Sequence, residues 1–252
     1  LMNFRLNGRV AFVSGAAGHL GRAMTWALAQ AGAHVIINGR DESRLKDFEG
    51  ELKAAGQLCD RAAFDVCDFA YVRKFFGARQ KLDIIVNNAI NMTPAAFDAL
   101  EPSAFDETYR SSVTAAFEIV RAARPALAAS DSASVVNVAS MYGLVSPDPR
   151  IYANPKQASP AHYGPAKAAL IQLTRHLAAE LGPQAIRVNA LVPGPFPRAA
   201  TPEFAEKLAG RTMLGRTGAA SEIAGPLLFL ASPASSYVTG TALIVDGGWT
   251  AW

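Results

Sequence analysis

The sequence predicts an α/β protein in which a parallel, doubly wound sheet of seven strands lies between two layers of helices. Short apolar runs alternate with longer amphipathic stretches along the whole chain. The runs VVNV, IIV and LIV are apolar almost without a break, as expected of strands buried on both faces. No repeat, low-complexity block or linker divides the pattern, so residues 1–252 read as one domain.

Strands are expected at 10–14, 34–38, 62–65, 84–87, 134–139, 187–192 and 242–245. Helices are expected at 20–31, 43–55, 69–80, 102–127, 163–181 and 221–230. Strands alternating with helices imply parallel pairing through right-handed crossovers. Such sheets bind ligands beyond the carboxyl ends of their strands, so the turns that follow strands are the places to search.

Half of the residues are hydrophobic and 18% are charged, which excludes intrinsic disorder. The net charge of +3 is spread without a dense basic cluster, so no nucleic-acid partner is expected. Cys59 and Cys67 are the only cysteines, and with four scattered histidines they form neither a disulfide framework nor a metal-ligand set. The uncharged stretch near 223–245 is broken by Pro226, Pro233 and Gly240, so a buried helix, turn and strand are expected there rather than a membrane span. No secretory signal is evident at the N-terminus. A cytoplasmic protein is the expectation.

The first strand runs into Ser14-Gly15-Ala16-Ala17-Gly18-His19-Leu20-Gly21. Glycines let a backbone approach a diphosphate closely, and the following helix start offers free N–H groups. Later turns carry Asp65-Val66, Asn87-Asn88-Ala89-Ile90, Asn189-Ala190-Leu191-Val192-Pro193-Gly194 and Val245-Asp246-Gly247-Gly248. In this order the motifs resemble those of the short-chain dehydrogenase/reductase family over nearly the whole chain. The resemblance implies a Rossmann-type three-layer sandwich and an NAD(P)-dependent oxidoreductase acting on CH–OH groups. It also implies cofactor contacts at Gly15, Gly18, His19, Leu20, Gly21, Gly39, Arg40, Asp65, Val66, Asn88, Ala89, Ile90, Pro193, Gly194 and Phe196. Two positions depart from the family pattern: His19 stands where a glycine is usual, and Ile90 replaces another.

NAD-preferring folds place an acid at the end of the second strand, to bind the adenosine ribose hydroxyls. Here the strand ends Asn38-Gly39-Arg40, with no acid and with a guanidinium suited to a 2′-phosphate. NADP(H) is therefore expected ahead of NAD(H).

The family's catalytic pattern is a Ser after the fifth strand and a Tyr-x-x-x-Lys on the next helix. Ser140 fits the first. Two pairs compete for the second: Tyr152/Lys156, with Tyr152 12 residues beyond Ser140, and Tyr163/Lys167, with Tyr163 23 residues beyond. Pro155 and Pro160 disfavour a helix around the first pair, while a strong amphipathic pattern follows the second. Ser140, Tyr163 and Lys167 are the expected catalytic residues, the last two also touching the cofactor. A cation beside Tyr163 is expected to favour its phenolate. This choice makes 144–162 an insertion that walls the substrate cleft, and 195–217 corresponds to the family's substrate lid. The Asn by which the family relays protons is absent; Ser112 aligns with it, with Ser111 and Thr114 as alternatives.

The C-terminal residues resemble gluconate-type sugar-acid dehydrogenases, which implies a sugar acid, polyol or hydroxy acid as substrate. The overall pattern is also similar to 3-oxoacyl carrier-protein reductases, the alternative. A cofactor-binding protein with little catalysis is an alternative of a different class, raised by the departures at His19, Ile90 and Ser112. Trp249 and Trp252 near the terminus suggest burial against a partner chain, and the family implies a homotetramer.

Overall fold

In the computed structural model, which describes residues 4–154 and 158–252, seven parallel strands form one sheet in the order β3-β2-β1-β4-β5-β6-β7. The chain runs β1 (Val10–Val13), α1 (His19–Gln30), β2 (His34–Gly39), α2 (Glu42–Ala54), β3 (Cys59–Ala63), α3 (Phe69–Gly77) and β4 (Ile84–Asn87). It continues through α4 (Pro102–Tyr109), α5 (Ala115–Ala128), β5 (Ser134–Val138), α6 (Tyr163–Leu181) and β6 (Arg187–Pro193). It ends with α7 (Pro202–Ala209), α8 (Ala224–Ala231) and β7 (Ala242–Val245).

Every residue of β4, β5 and β6 is buried, which accounts for their unbroken apolar runs. The sheet has an apolar core on each face: Val13, Met24, Leu28, Phe48 and Leu227 pack on one side, Phe12, Phe76, Leu82, Ile119 and Leu181 on the other. Many of the polar side chains inside bridge elements, although Thr25 Oγ1, Arg79 Nε and Asn87 Oδ1 are buried without a hydrogen-bond partner among the described residues. The Asn87 amide donates to Asn137 Oδ1 at 2.8 Å, and the Asn137 amide donates to Thr174 Oγ1 at 2.9 Å, fixing β4, β5 and α6 to one another. Strand order reverses between β1 and β4, so the turns after these two strands face each other across a crevice.

Three local expectations change. The third strand lies at Cys59–Ala63 instead of 62–65. It is the sheet edge and exposes Asp60 and Arg61, so it lacks the apolar signal of a central strand. The helix expected at 102–127 is interrupted by a π-helical turn, Arg110–Thr114, between α4 and α5. The segment 195–217, expected as a lid, contains a helix, α7, signalled by Thr201 and Pro202: the Thr201 hydroxyl caps Phe204 N–H at 3.3 Å, and proline is favourable in a first turn. No helix of the described residues is long and apolar enough to cross a membrane.

Candidate active site

The turn after β1 is shaped by contacts that only glycine permits. Gly15 has φ +63°, and a Cβ there would lie 2.9 Å from the Asn88 amide nitrogen. A Cβ at Gly21 would lie 2.1 Å from the Gly15 carbonyl oxygen, an impossible contact with backbone. Gly18 is extended and precedes α1, whose first residue is His19. The backbone at 19 is thus helical and places no demand for glycine, which explains how a histidine fits there. Its ring reaches across the crevice to the Phe196 carbonyl, with Nε2 at 3.1 Å.

Asn88 joins the two facing turns. Its side-chain amide donates to the Ser14 and Gly15 carbonyls at 3.0 and 3.1 Å, while the Asn88 and Ala89 N–H groups donate to Ser14 Oγ at 2.9 and 3.0 Å. Arg44 braces the turn from outside, donating to the Ala17 carbonyl at 3.0 Å. The α1 start has no side-chain cap, and its first residues His19, Leu20 and Gly21 line the cavity, a cradle suited to a diphosphate.

After β2, Arg40 is exposed and makes no ion pair or hydrogen bond among the described residues. Its acidic neighbours are engaged elsewhere: Asp41 caps α2 by accepting from Arg44 N–H at 3.1 Å, and Glu42 accepts from Arg61 Nε at 2.7 Å. Asn38 ties β2 to the loop after β3, donating to the Ala62 and Phe64 carbonyls at 2.8 and 3.1 Å. That anchors Phe64, Asp65 and Val66 on the same side as Arg40. On the far side, a Cβ at Gly194 would lie 2.4 Å from Asp246 Cα, so the turn after β6 presses directly on the turn after β7.

Ser140 follows β5 in extended backbone, and its hydroxyl accepts from Tyr142 N–H at 3.2 Å. The short turn Met141–Gly143 seats against the start of α6, where a Cβ on Gly143 would lie 2.8 Å from the Lys167 backbone carbon. That close approach sets Tyr163 beside Ser140, whose hydroxyl favours the tyrosine's ionised form. One turn on, Lys167 is buried and its Nζ donates to the Val138 carbonyl at 2.7 Å, lying 5.7 Å from the Tyr163 ring centroid.

The electrostatics depart from the expectation of a phenolate-favouring tyrosine. Burial pushes the Tyr163 phenol above its ordinary value; the Ser140 hydrogen bond opposes this and the Tyr152 phenol adds to it. Burial also lowers the Lys167 ammonium to about 8. Desolvation is the largest cause of both shifts, so the protein on its own keeps a neutral phenol ready to donate. Tyr152 points elsewhere, its hydroxyl 2.9 Å from that of Tyr142, and Lys156 lies outside the described residues.

One cavity of about 470 Å³ collects these groups. Gly15, Gly18, His19, Leu20, Gly21, Gly39, Arg40, Asp65 and Val66 line one part of it, and Asn88, Ala89, Ile90, Ser140, Tyr163, Lys167, Pro193, Gly194 and Phe196 the rest. Asn38, Phe64, Asn91, Ser111, Val138 and Ala139 also line it and were not singled out as cavity residues from sequence. Ser111 is informative. The π turn carries it to the cavity wall, where its hydroxyl accepts from Asn91 N–H at 2.9 Å. The Ser111 and Ser112 hydroxyls both donate back to the Thr108 carbonyl, Ser111 at 3.3 Å and Ser112 at 2.9 Å, but only Ser111 lines the cavity. A glycine cradle at one end, an unpaired guanidinium beside it and a Ser–Tyr–Lys group at the other end together suit a dinucleotide with a 2′-phosphate.

A family model described as enoyl-(acyl carrier protein) reductase matches residues 15–250. The chain belongs to the short-chain dehydrogenase/reductase family. Members of the family similar to it carry several activities in their names. A galactitol 2-dehydrogenase (L-tagatose-forming) from Cereibacter sphaeroides is 37% identical over 99% of this chain and 98% of its own. The rhamnolipids biosynthesis 3-oxoacyl-[acyl-carrier-protein] reductase of Pseudomonas aeruginosa is 34% identical over 97% of both chains. Among solved short-chain dehydrogenase/reductase structures, a gluconate 5-dehydrogenase from Burkholderia cenocepacia in complex with NADP and tartrate superposes with a TM-score of 0.88. It shares 32% identity, and the match covers 100% of this chain and 98% of that one. As a member of this family the chain is an oxidoreductase acting on CH–OH groups.

Proposed function

We propose that this protein interconverts a secondary alcohol and a carbonyl on a small polyhydroxylated substrate, such as a sugar acid, polyol or hydroxy acid, with NADP(H) as its cofactor and NAD(H) as a weaker alternative. The observation that carries it is the meeting of Ser140, Tyr163 and Lys167 in the cavity that also holds the phosphate turn and Arg40. When bound, the nicotinamide supplies or accepts the hydride. Arg40 pairs with the 2′-phosphate, and the α1 N-terminus with the diphosphate. Ser140 Oγ orients the substrate oxygen. Tyr163 donates its phenolic proton to that oxygen during reduction and takes the proton back during oxidation. Lys167 stabilises the phenolate so formed. Ser111, on the wall beside Asn91, serves the proton path in place of the family's asparagine.

Gluconate-type and galactitol-type relatives support the substrate class. The test is NADPH consumption with a panel of keto sugars and keto-sugar acids, using wild type and Tyr163→Phe. Wild type turns over a polyhydroxylated ketone, and the variant binds NADPH but reduces nothing. Retained turnover in Tyr163→Phe sinks the assignment, and turnover lost in Tyr152→Phe alone transfers it to the other tyrosine. A 3-oxoacyl thioester reductase is the second reading, favoured by the P. aeruginosa relative and by an apolar cavity of about 720 Å³ beside the site, walled by Phe97, Leu144 and Val145.

The residues 1–252 are taken as one catalytic unit, with 195–217 as lid and 144–162 as cleft wall. A cytoplasmic homotetramer fits the apolar side chains left exposed on the surface. Among these are Phe105, Tyr109 and Phe117 along α4 and α5, Ile244 on the edge strand β7, and Trp252, whereas Trp249 is buried within its own chain and is not left for a partner. Light scattering coupled to gel filtration tests the assembly; a monomer at micromolar concentration refutes it.

A further inference from the structure

The Tyr-x-x-x-Lys pair set aside as a catalytic centre contains a tyrosine with another role. The insertion folds back so that Tyr152 Oη lies 2.9 Å from Tyr142 Oη. Tyr142 belongs to the turn just after Ser140, and its N–H donates to the Ser140 hydroxyl. Both rings are clamped. Tyr142 meets Trp249 edge-on at 6.5 Å, and Tyr152 packs on Phe204 of the lid helix at 5.7 Å, around buried Met141, Ile151 and Leu208. A lid-to-insertion ion pair, Arg211 to Asp148 at 3.7 Å, closes the same junction. The two hydroxyls are thus held at fixed positions, with Tyr142 two residues beyond Ser140, and the Tyr152 phenol opposes ionisation of both Tyr142 and Tyr163.

A hydroxyl carries one hydrogen, so only one of the pair donates in the bond they share. The other O–H has no acceptor among the described residues. Tyr152 also borders open space on two sides, the cavity of about 720 Å³ beside Gly164 and a second of about 520 Å³ against the lid. A rigid aromatic wall with a spare donor and free lone pairs is a recognition surface for alcohol groups.

We propose that the Tyr142–Tyr152 hydroxyl pair, which lines the cavity next to the one holding Ser140, Tyr163 and Lys167, recognises a hydroxyl further along the substrate and thereby selects polyhydroxylated ketones over plain ones. This rests on the polyhydroxy reading given above. A substrate that displaces water from the cavity but lacks that hydroxyl leaves the spare donor unpaired, which is the strongest basis for rejecting it. Tyr152→Phe keeps the ring packing and deletes only the hydroxyl.

The experiment measures kcat/KM with NADPH for L-tagatose, a ketogluconate and hexanone in wild type and Tyr152→Phe. The preference for the better polyhydroxylated ketone over hexanone falls about tenfold or more in the variant, chiefly through KM. Tyr142→Phe removes the same bond from the other side and gives the same change, which guards against a variant that fails to fold. An unchanged preference in a folded variant overturns the recognition role and leaves the functional reading standing. Wild type that reduces a 3-oxoacyl thioester and no polyhydroxylated ketone overturns both.

Discussion

The His19 ring and the Phe196 carbonyl, 3.1 Å apart, bridge the phosphate turn and the first residues of the lid. The ring occupies a position where the family usually has no side chain at all, and both residues line the cofactor cavity. The lid base is held a second time, by Gly218 N–H donating to the Pro195 carbonyl at 3.0 Å. The His19–Phe196 contact joins two walls of the cofactor cavity, which also meet where Phe196, Ala17 and Leu20 pack on one apolar cluster.

Replacing His19 with alanine removes that bridge and leaves the helix start intact. A single hydrogen bond is worth roughly 0.5–1.5 kcal/mol, so NADPH should leave about 2- to 10-fold faster. Stopped-flow displacement of the bound cofactor measures this. An unchanged dissociation rate shows that the bridge does not restrain release.

Arg40 has no acid to satisfy it, because Asp41 caps a helix and Glu42 binds Arg61. Its charge is free for a phosphate. Arg40→Ala should lower kcat/KM for NADPH by roughly 10- to 100-fold, as expected for a charge-assisted hydrogen bond, and change that for NADH little. Equal losses with both cofactors would count against a 2′-phosphate contact.

Lys167 sets a pH dependence of stability that a methionine would erase. Burial depresses its ammonium from 10.5 to about 8 in the folded chain, so between those values the unfolded chain binds more proton than the folded one. Stability then rises with pH across that window. Below about pH 8 both states are protonated and the cost of burying the charge is present in full. Relative to Lys167→Met, wild type should gain up to about 3 kcal/mol between pH 8 and 10.5 and show a flat difference below. The raised Tyr163 phenol favours the fold below its unfolded value near 10, and that contribution is lost as the pH rises through its folded value. Urea titrations at several pH values provide the comparison, and a difference that is flat throughout would mean that Lys167 is not desolvated.

The alternation of apolar runs and helices was enough to anticipate the sheet, because central strands of a parallel sheet cannot afford polar faces. It failed at β3 for the converse reason: Asp60 and Arg61 face solvent at the edge and look like loop residues. The competition between Tyr152 and Tyr163 could be argued from prolines and helix periodicity alone, against the more familiar spacing. What sequence did not reveal depends on packing. The π turn that brings Ser111 to the cavity, and turns Ser112 back on Thr108, follows from no residue preference in Arg110–Thr114. The α7 start was readable in Thr201-Pro202 and was missed as part of a variable segment.

The junction of insertion and lid has a consequence for how such enzymes diversify. Ile151 and Leu208 lie far apart in the chain yet bury the same patch. A graft that swaps one segment for that of a relative leaves half of a hydrophobic seam without its mate. Selectivity in this scaffold is inherited as a matched pair of loops, so substitutions in 144–154 should co-vary with those in 202–211 across relatives that carry the same insertion.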